Sequence, residues 1–178
     1  MNVGVISVRY ARALLKAAIG AKLEDTVYRE MMVLAKNFID VPGLRSTIDN
    51  PMLPKDTKKK LLMMACGDDT SQLSEQFITL VLGSNREDML QFMANSYIAL
   101  YRQQKNIIRS KLITAVEVSK STRQRMRQMV ERKTKGTVEF VTEVNPDILG
   151  GFVLEYDTYR LDASVHTQLL QMLNHLKK

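Results

Sequence analysis

Few side chains in this sequence are of the types that do covalent chemistry, and their spacing keeps them apart. There are two histidines, His166 and His175, and one cysteine, Cys66, in 178 residues. At about 100° per residue, the two imidazoles fall on opposite faces of one predicted helix and cannot share a metal ion. Cys66 sits beside Gly67-Asp68-Asp69 with neither a second cysteine nor a histidine near it, which leaves a structural or incidental thiol. Paired carboxylates occur at Asp68-Asp69, in a turn, and at Glu87-Asp88, in the first turn of a predicted helix. Negative charge favours a helix N-terminus, so capping and solvation explain them better than acid–base catalysis. The sequence has no Gly-rich phosphate loop, no paired-cysteine metal spacing and no nucleophile motif. It predicts no enzyme, no catalytic or metal-ligating residue and no cofactor.

The elements around these residues divide the chain in two. Up to about residue 105 the pattern is helical, broken at Gly20, Val41-Pro42-Gly43, Asn50-Pro51 to Pro54, Gly67-Asp68-Asp69 and Gly83-Ser84-Asn85. The breaks predict helices over 4–19, 23–39, 42–49, 55–65, 70–83 and 86–105, joined by the short connections of a bundle. In the fourth, Lys58-Lys59-Lys60 reads as the wet face and Leu61, Leu62 and Met64 as the buried side. From 106 to 118 the period becomes alternating, with Ile108, Leu112, Thr114, Val116 and Val118 on one face and Arg109, Lys111 and Glu117 on the other. A helix over 120–134, capped by Ser119 or Ser121, leads through Gly136 to a strand over 137–144. A hairpin of Gly151 to Tyr156 and Tyr159 to Leu161, turning at Asp157-Thr158, feeds the last helix. Its cap is Asp162, accepting from Ser164 or Val165, with Ser164 as competitor; Val165, Leu169, Met172, Leu173 and Leu176 form its apolar stripe. The expected fold is mainly α with two domains: an N-terminal six-helix bundle over 1–105 and a small α+β domain over 106–178.

Composition is that of a globular chain, with 45% hydrophobic and 25% charged residues. No apolar run reaches the roughly 20 residues a membrane span needs, and the N-terminus lacks the order of a secretory signal, which predicts a cytoplasmic protein. The net charge of +7 is spread over both halves. Only 120–135 concentrates it, with Lys120, Arg123, Arg125, Arg127, Arg132, Lys133 and Lys135 against Glu131. That segment offers an alternative function, a basic helical RNA- or ribosome-associated protein. Against it, Met126, Met129 and Val130 recur as on a helix covering a core, and no aromatic is present on which a base would stack.

Two N-terminal helices carry more apolar surface than one core contact requires. In the first, Arg9, Arg12 and Lys16 form a single polar stripe with apolar residues on both flanks: Ile6, Tyr10, Ala13, Leu14 and Ala17 on one, Ala11, Leu15, Ala18 and Ile19 on the other. In the fifth, Leu73, Phe77, Ile78, Leu80, Val81 and Leu82 leave the last two turns apolar nearly all round. Either both helices are central to the bundle or one flank receives a partner; the small Ala13 and Ala17 favour close approach of another helix.

Ser7-Val8-Arg9-Tyr10-Ala11-Arg12-Ala13-Leu14, Asn50-Pro51, Asn85-Arg86, Leu149-Gly150-Gly151-Phe152 and Leu161-Asp162-Ala163-Ser164-Val165, in this order and spacing, resemble the delta subunit of bacterial F-type ATP synthase. This family is the counterpart of the mitochondrial oligomycin-sensitivity-conferring protein, and the likeness spans essentially the whole chain. Glu87-Asp88 departs from the small or basic residue and then apolar one expected after Asn85-Arg86. The resemblance implies a non-enzymatic stator component of a proton- or sodium-driven rotary ATP synthase, peripheral on the cytoplasmic face of the bacterial membrane. It implies that the helical domain holds the N-terminal helix of alpha subunits of the head, in a groove carried over to Tyr10, Ala13, Leu14, Phe77, Ile78 and Val81. It further implies that the C-terminal domain meets the b subunits of the peripheral stalk, with Gly150, Gly151, Asp162 and Ser164 as scaffold motifs. Membrane contact is then only indirect, through the complex, and no nucleic acid is expected.

Overall fold

The computed structural model describes residues 3–67, 69–134, 136–156 and 159–176. The expected roles of Asp68, Lys135 and the Asp157-Thr158 turn, and of the Lys133 and Leu176 side chains, lie outside what is described. The chain divides into two compact units, Met1–Gln103 and Gln104–Lys178. It is mainly helical, with one small sheet in the second unit. No helix among the described residues is long and apolar enough to cross a membrane.

The first unit consists of α1 (Val3–Ala21), α2 (Glu24–Asp40), α3 (Leu44–Asp49), α4 (Lys55–Cys66), α5 (Gln72–Gly83) and α6 (Leu90–Gln104). Gly43 in left-handed conformation opens α3, and Ser71 caps α5 by accepting from the Ser74 N–H. Met31, Leu34, Ile48, Leu62, Ile78, Val81, Leu90, Met93 and Tyr97 have no exposed surface and form the core. α1 packs against α2 and α5, and α2 also against α3, α4 and α5. Tyr28 and Tyr101 stack at 4.1 Å, and the Tyr101 hydroxyl donates to Asp25 Oδ1 at 2.7 Å, tying the end of α6 to the start of α2.

Three expectations for this unit need correction. The sixth helix does not begin at 86: Glu87–Met89 form a 3₁₀ turn, and α6 starts at Leu90. Lys58 is not on a wet face. It is 3% exposed and donates to Glu87 Oε1 at 2.7 Å, because the 3₁₀ turn brings that carboxylate over α4. Burial opposes ionisation of Glu87, but the Lys58 hydrogen bond and charge outweigh it and hold the carboxyl below its ordinary range. Met64, expected inside, is 77% exposed, whereas Leu62 and Ala65 face the core.

The second unit runs β1 (Ile107–Thr114), α7 (Lys120–Thr134), β2 (Thr137–Val144), β3 (Gly151–Tyr156), β4 (Tyr159–Ser164) and α8 (Val165–Leu176), with a 3₁₀ turn at Pro146–Ile148. The sheet order is β2-β1-β3-β4. β1 and β2 are parallel from Ile107↔Thr137 to Thr114↔Val144, which requires the crossover that α7 provides. β3 is antiparallel to both β1 and β4. Val130 of α7 packs on Leu112, Val138 and Leu154, with Val118, Met126, Phe140, Phe152 and Tyr156 around them. The alternating face ends early: the strand stops at Thr114, whose hydroxyl donates to the Val116 carbonyl, and Val116 is exposed.

Gly151 has φ +73°, and a Cβ there would collide with the Ala163 carbonyl oxygen of β4, so this position demands glycine. The cap of the last helix is Ser164, not Asp162. The Ser164 hydroxyl accepts from the Thr167 N–H at 3.2 Å, while Asp162, still within β4, accepts from the Ser164 N–H at 3.0 Å and hydroxyl at 2.6 Å. Those two hydrogen bonds hold the Asp162 carboxyl below its usual pKa.

Candidate functional site

α1 and α5 leave a groove of about 440 Å³ between them, lined by Arg9, Tyr10, Ala13, Leu14, Ala17, Leu73, Gln76, Phe77 and Leu80. Its width follows from residue size. Ala13 and Ala17 occupy successive turns on the α1 wall, where larger side chains would close the space. Leu73, Phe77 and Leu80 recur at helical spacing on the α5 wall, and Leu80 is 58% exposed. Leu14 and Phe77 join the floor to the core.

Each end of the groove is fixed by polar contacts. At one end, Arg86 Nη1 donates to the Tyr10 hydroxyl at 2.9 Å and its guanidinium lies 5.4 Å from the ring centre. The same hydroxyl donates to Ser84 Oγ at 3.4 Å. The Ser84 hydrogen bond and, against the opposing effect of burial, the cations Arg86 and Arg9 pull the Tyr10 phenol below its usual pKa. At the other end, the α5 N-terminus is held from α2. Glu30 is 5% exposed; its Oε1 accepts from the Ser71 N–H at 2.6 Å and its Oε2 from the hydroxyls of Ser71, at 2.8 Å, and Ser74. Burial, with Glu30 nearby, pushes the Cys66 thiol up to about 12, so this cysteine is an inert core residue.

Of the six residues expected in a groove, Tyr10, Ala13, Leu14 and Phe77 are brought together. Ile78 and Val81 are not on it: both have no exposed surface and turn into the core, while Leu73, Gln76 and Leu80 line the outer wall. Spacing alone missed Gln76 because it is polar, and Arg86 because its role depends on Asn85 adopting φ +50°, which turns the chain back toward α1. Glu30 gave no sequence signal, since its partners lie over 40 residues away.

The second unit offers a different surface. On α8, Val165, Leu169, Met172 and Leu173 of the predicted stripe, with Leu170 beside them, are 39% to 62% exposed, so the described part of the stripe is uncovered within this unit. Gly150 packs its backbone under Val165, and with Gly151, Asp162 and Ser164 it sets where α8 leaves the sheet. His166 and His175 stand at opposite ends of α8, where His175 Nδ1 meets the Gln171 carbonyl oxygen at 2.7 Å. On α7, Met126 and Val130 turn under and Met129 is partly exposed; Lys120, Arg123, Arg125 and Arg132 face solvent, and Arg127 pairs with Glu131 at 2.9 Å. This is a surface helix covering a sheet, and nothing among the described residues favours the nucleic-acid reading.

The family described as ATP synthase delta (OSCP) subunit matches residues 6–176. A protein of Phocaeicola vulgatus named ATP synthase subunit delta is 49% identical over 170 residues, covering 95% of this chain and 92% of its own length. One of the same name from Bacteroides fragilis is 43% identical over 171 residues, with the same coverage. Among solved structures, a chain of the mitochondrial ATP synthase hexamer of Toxoplasma gondii aligns with TM-score 0.69 at 20% identity, covering 97% of both chains, a likeness of fold.

Proposed function

The chain belongs to the ATP synthase delta (OSCP) subunit family, structural rather than catalytic subunits of that complex, and from this premise we propose that it is the stator joint that couples the catalytic head to the peripheral stalk. In this account the first unit is a six-helix bundle that receives the N-terminal helix of an alpha subunit between α1 and α5. The second unit meets the b subunits, and the uncovered apolar stripe of α8 supports a helix-binding role there. The protein then sits at the cytoplasmic face of the membrane through the complex and touches lipid only indirectly.

The observation that carries the proposal is the open apolar groove. It has two small residues on one wall and three large apolar ones on the other, as a helix-in-groove contact requires. Its mechanical task needs affinity and slow release. Rotor torque on the head meets an equal counter-torque at the joint, so the contact must outlast many turnovers. Burying four or five apolar side chains of a docked helix, at roughly 1.5–3 kcal/mol each, competes with an association cost of about 4–15 kcal/mol. Rigid walls held by Glu30 and Arg86 reduce the ordering part of that cost.

Ala13→Trp tests the assignment. Ala13 is exposed on the groove wall, so an indole there fills the groove while leaving the core untouched. The expected result is loss of binding to an alpha-subunit N-terminal peptide with an unchanged circular dichroism melt; wild-type affinity in the folded variant refutes the groove.

A further inference from the structure

The groove is electrically one-sided. Arg9 lines it; Lys16, two turns on along the same ridge of α1, and Arg12 line the recess on the other side of that ridge; all three are exposed and none makes an ion pair within the described residues. Among the described residues no acidic side chain lines this groove or the recess on the opposite flank of α1. The α5 wall is neutral, contributing Gln76 and apolar groups, because Glu75 is turned away to pair with Lys59 at 2.8 Å. An apolar groove with cations along one rim and no charge on the other discriminates between helices that are equally apolar.

We infer that the helix received by this groove carries acidic residues on the flank that faces α1, and that Arg9 and Lys16 select it and fix its rotation about its own axis. This rests on the groove reading above and adds the chemistry of the partner. Arg9 and Lys16 are seven residues apart, which is about 10.5 Å along the helix and within about 20° of one line. Their complement on a docked helix is therefore a pair of carboxylates two turns apart, at i and i+7, beside rather than within its apolar stripe. A helix rotated to place those acids over α5 loses both pairs and presents a charge to Leu80 and Leu73. The rail thus favours one seating over others that bury the same apolar area.

The test is a binding cycle on the full chain, read by calorimetry, with two versions of an alpha-subunit N-terminal peptide: the native one, and one with every Asp and Glu replaced by Asn and Gln. The protein is wild type or the Arg9→Gln/Lys16→Gln double variant, whose substituted positions are on the surface. At about 0.05 M salt the wild type should prefer the acidic peptide by about 2- to 30-fold, the range for two exposed ion pairs. The preference should vanish in the double variant and shrink strongly at about 0.5 M salt, where screening acts within a few ångströms. Equal binding of both peptides to the wild type at low salt, or a preference that survives in the double variant, overturns the rail while leaving the groove in place. Failure of both peptides to bind the wild type in either salt overturns the groove reading itself and the rail with it.

Discussion

Removing the Glu30 carboxylate should loosen the groove without touching its lining. Glu30 lies on α2, 5% exposed, and accepts from the Ser71 N–H and from the hydroxyls of Ser71 and Ser74 at the first turn of α5. Hydrogen bonds to a charged acceptor contribute about 1.5–3 kcal/mol each, and Ser74, with no exposed surface, has no access to replacement water. Three such bonds do not add in full, because the Ser71 hydroxyl is half-buried and also caps the Ser74 N–H at 3.3 Å. Glu30→Ala should therefore cost about 3–5 kcal/mol locally, a large part of the stability of a domain this size, and Glu30→Gln, which keeps an acceptor oxygen but not the charge, about 1–2 kcal/mol. Hydrogen exchange resolved by residue is the suitable assay, since the two units need not unfold together. Amides of α5 from Ser74 to Ile78 should exchange faster in both variants, in the order Ala above Gln above wild type, with the peptide affinity of the groove falling in parallel. An Ala variant in which α5 exchanges within about 1 kcal/mol of wild type would refute the idea that this carboxylate anchors the helix.

Three other perturbations follow from the same contacts. Gly151→Ala combines a left-handed backbone with a Cβ against the Ala163 carbonyl, and should lower the melting of the second unit by at least 2 kcal/mol while the first is unchanged, as read by its tyrosine and methyl NMR signals. Lys58→Met leaves the Glu87 carboxylate buried without its partner and should cost about 3–5 kcal/mol in urea unfolding; adding Glu87→Leu should recover most of it. Because the folded pKa of Glu87 is depressed, the pair stabilises the protein above the ordinary carboxylate value of 4.5 and the gain is lost as pH falls through the folded value, so that acid-labile component should be absent in the double variant. Cys66, 2% exposed with its thiol pushed up to about 12, should not react with a thiol reagent at pH 8 until denaturant opens the first unit.

What sequence patterns carried well was whatever depends on neighbours along the chain. The limits of α7 and β2 match the capping serine, Ser119, and the glycine between them, because a cap and a turn are decided within a few residues. The apolar surplus on α1 and α5 was legible as amphipathic flanks, and four of six proposed groove residues line the space they form. Ile78 and Val81 were misplaced because a helix apolar nearly all round does not reveal its inner side; only the packing of α5 on its neighbours decides that. Lys58 was read as solvated for a similar reason. Its partner is 29 residues away, on a 3₁₀ turn that the pattern merged into a longer helix. Ser164 displaced Asp162 as a cap because β4 runs three residues beyond the predicted strand end, a consequence of its full pairing with β3.

The most direct test of the joint is assembly of three purified components, an alpha-containing head, the soluble part of the b subunits and this chain, followed by mass photometry. The account predicts that head and b associate only when the chain is present, and that Ala13→Trp removes the head from that assembly while the chain stays bound to b. Association of head and b without the chain, or an undiminished three-part assembly with Ala13→Trp, would contradict it.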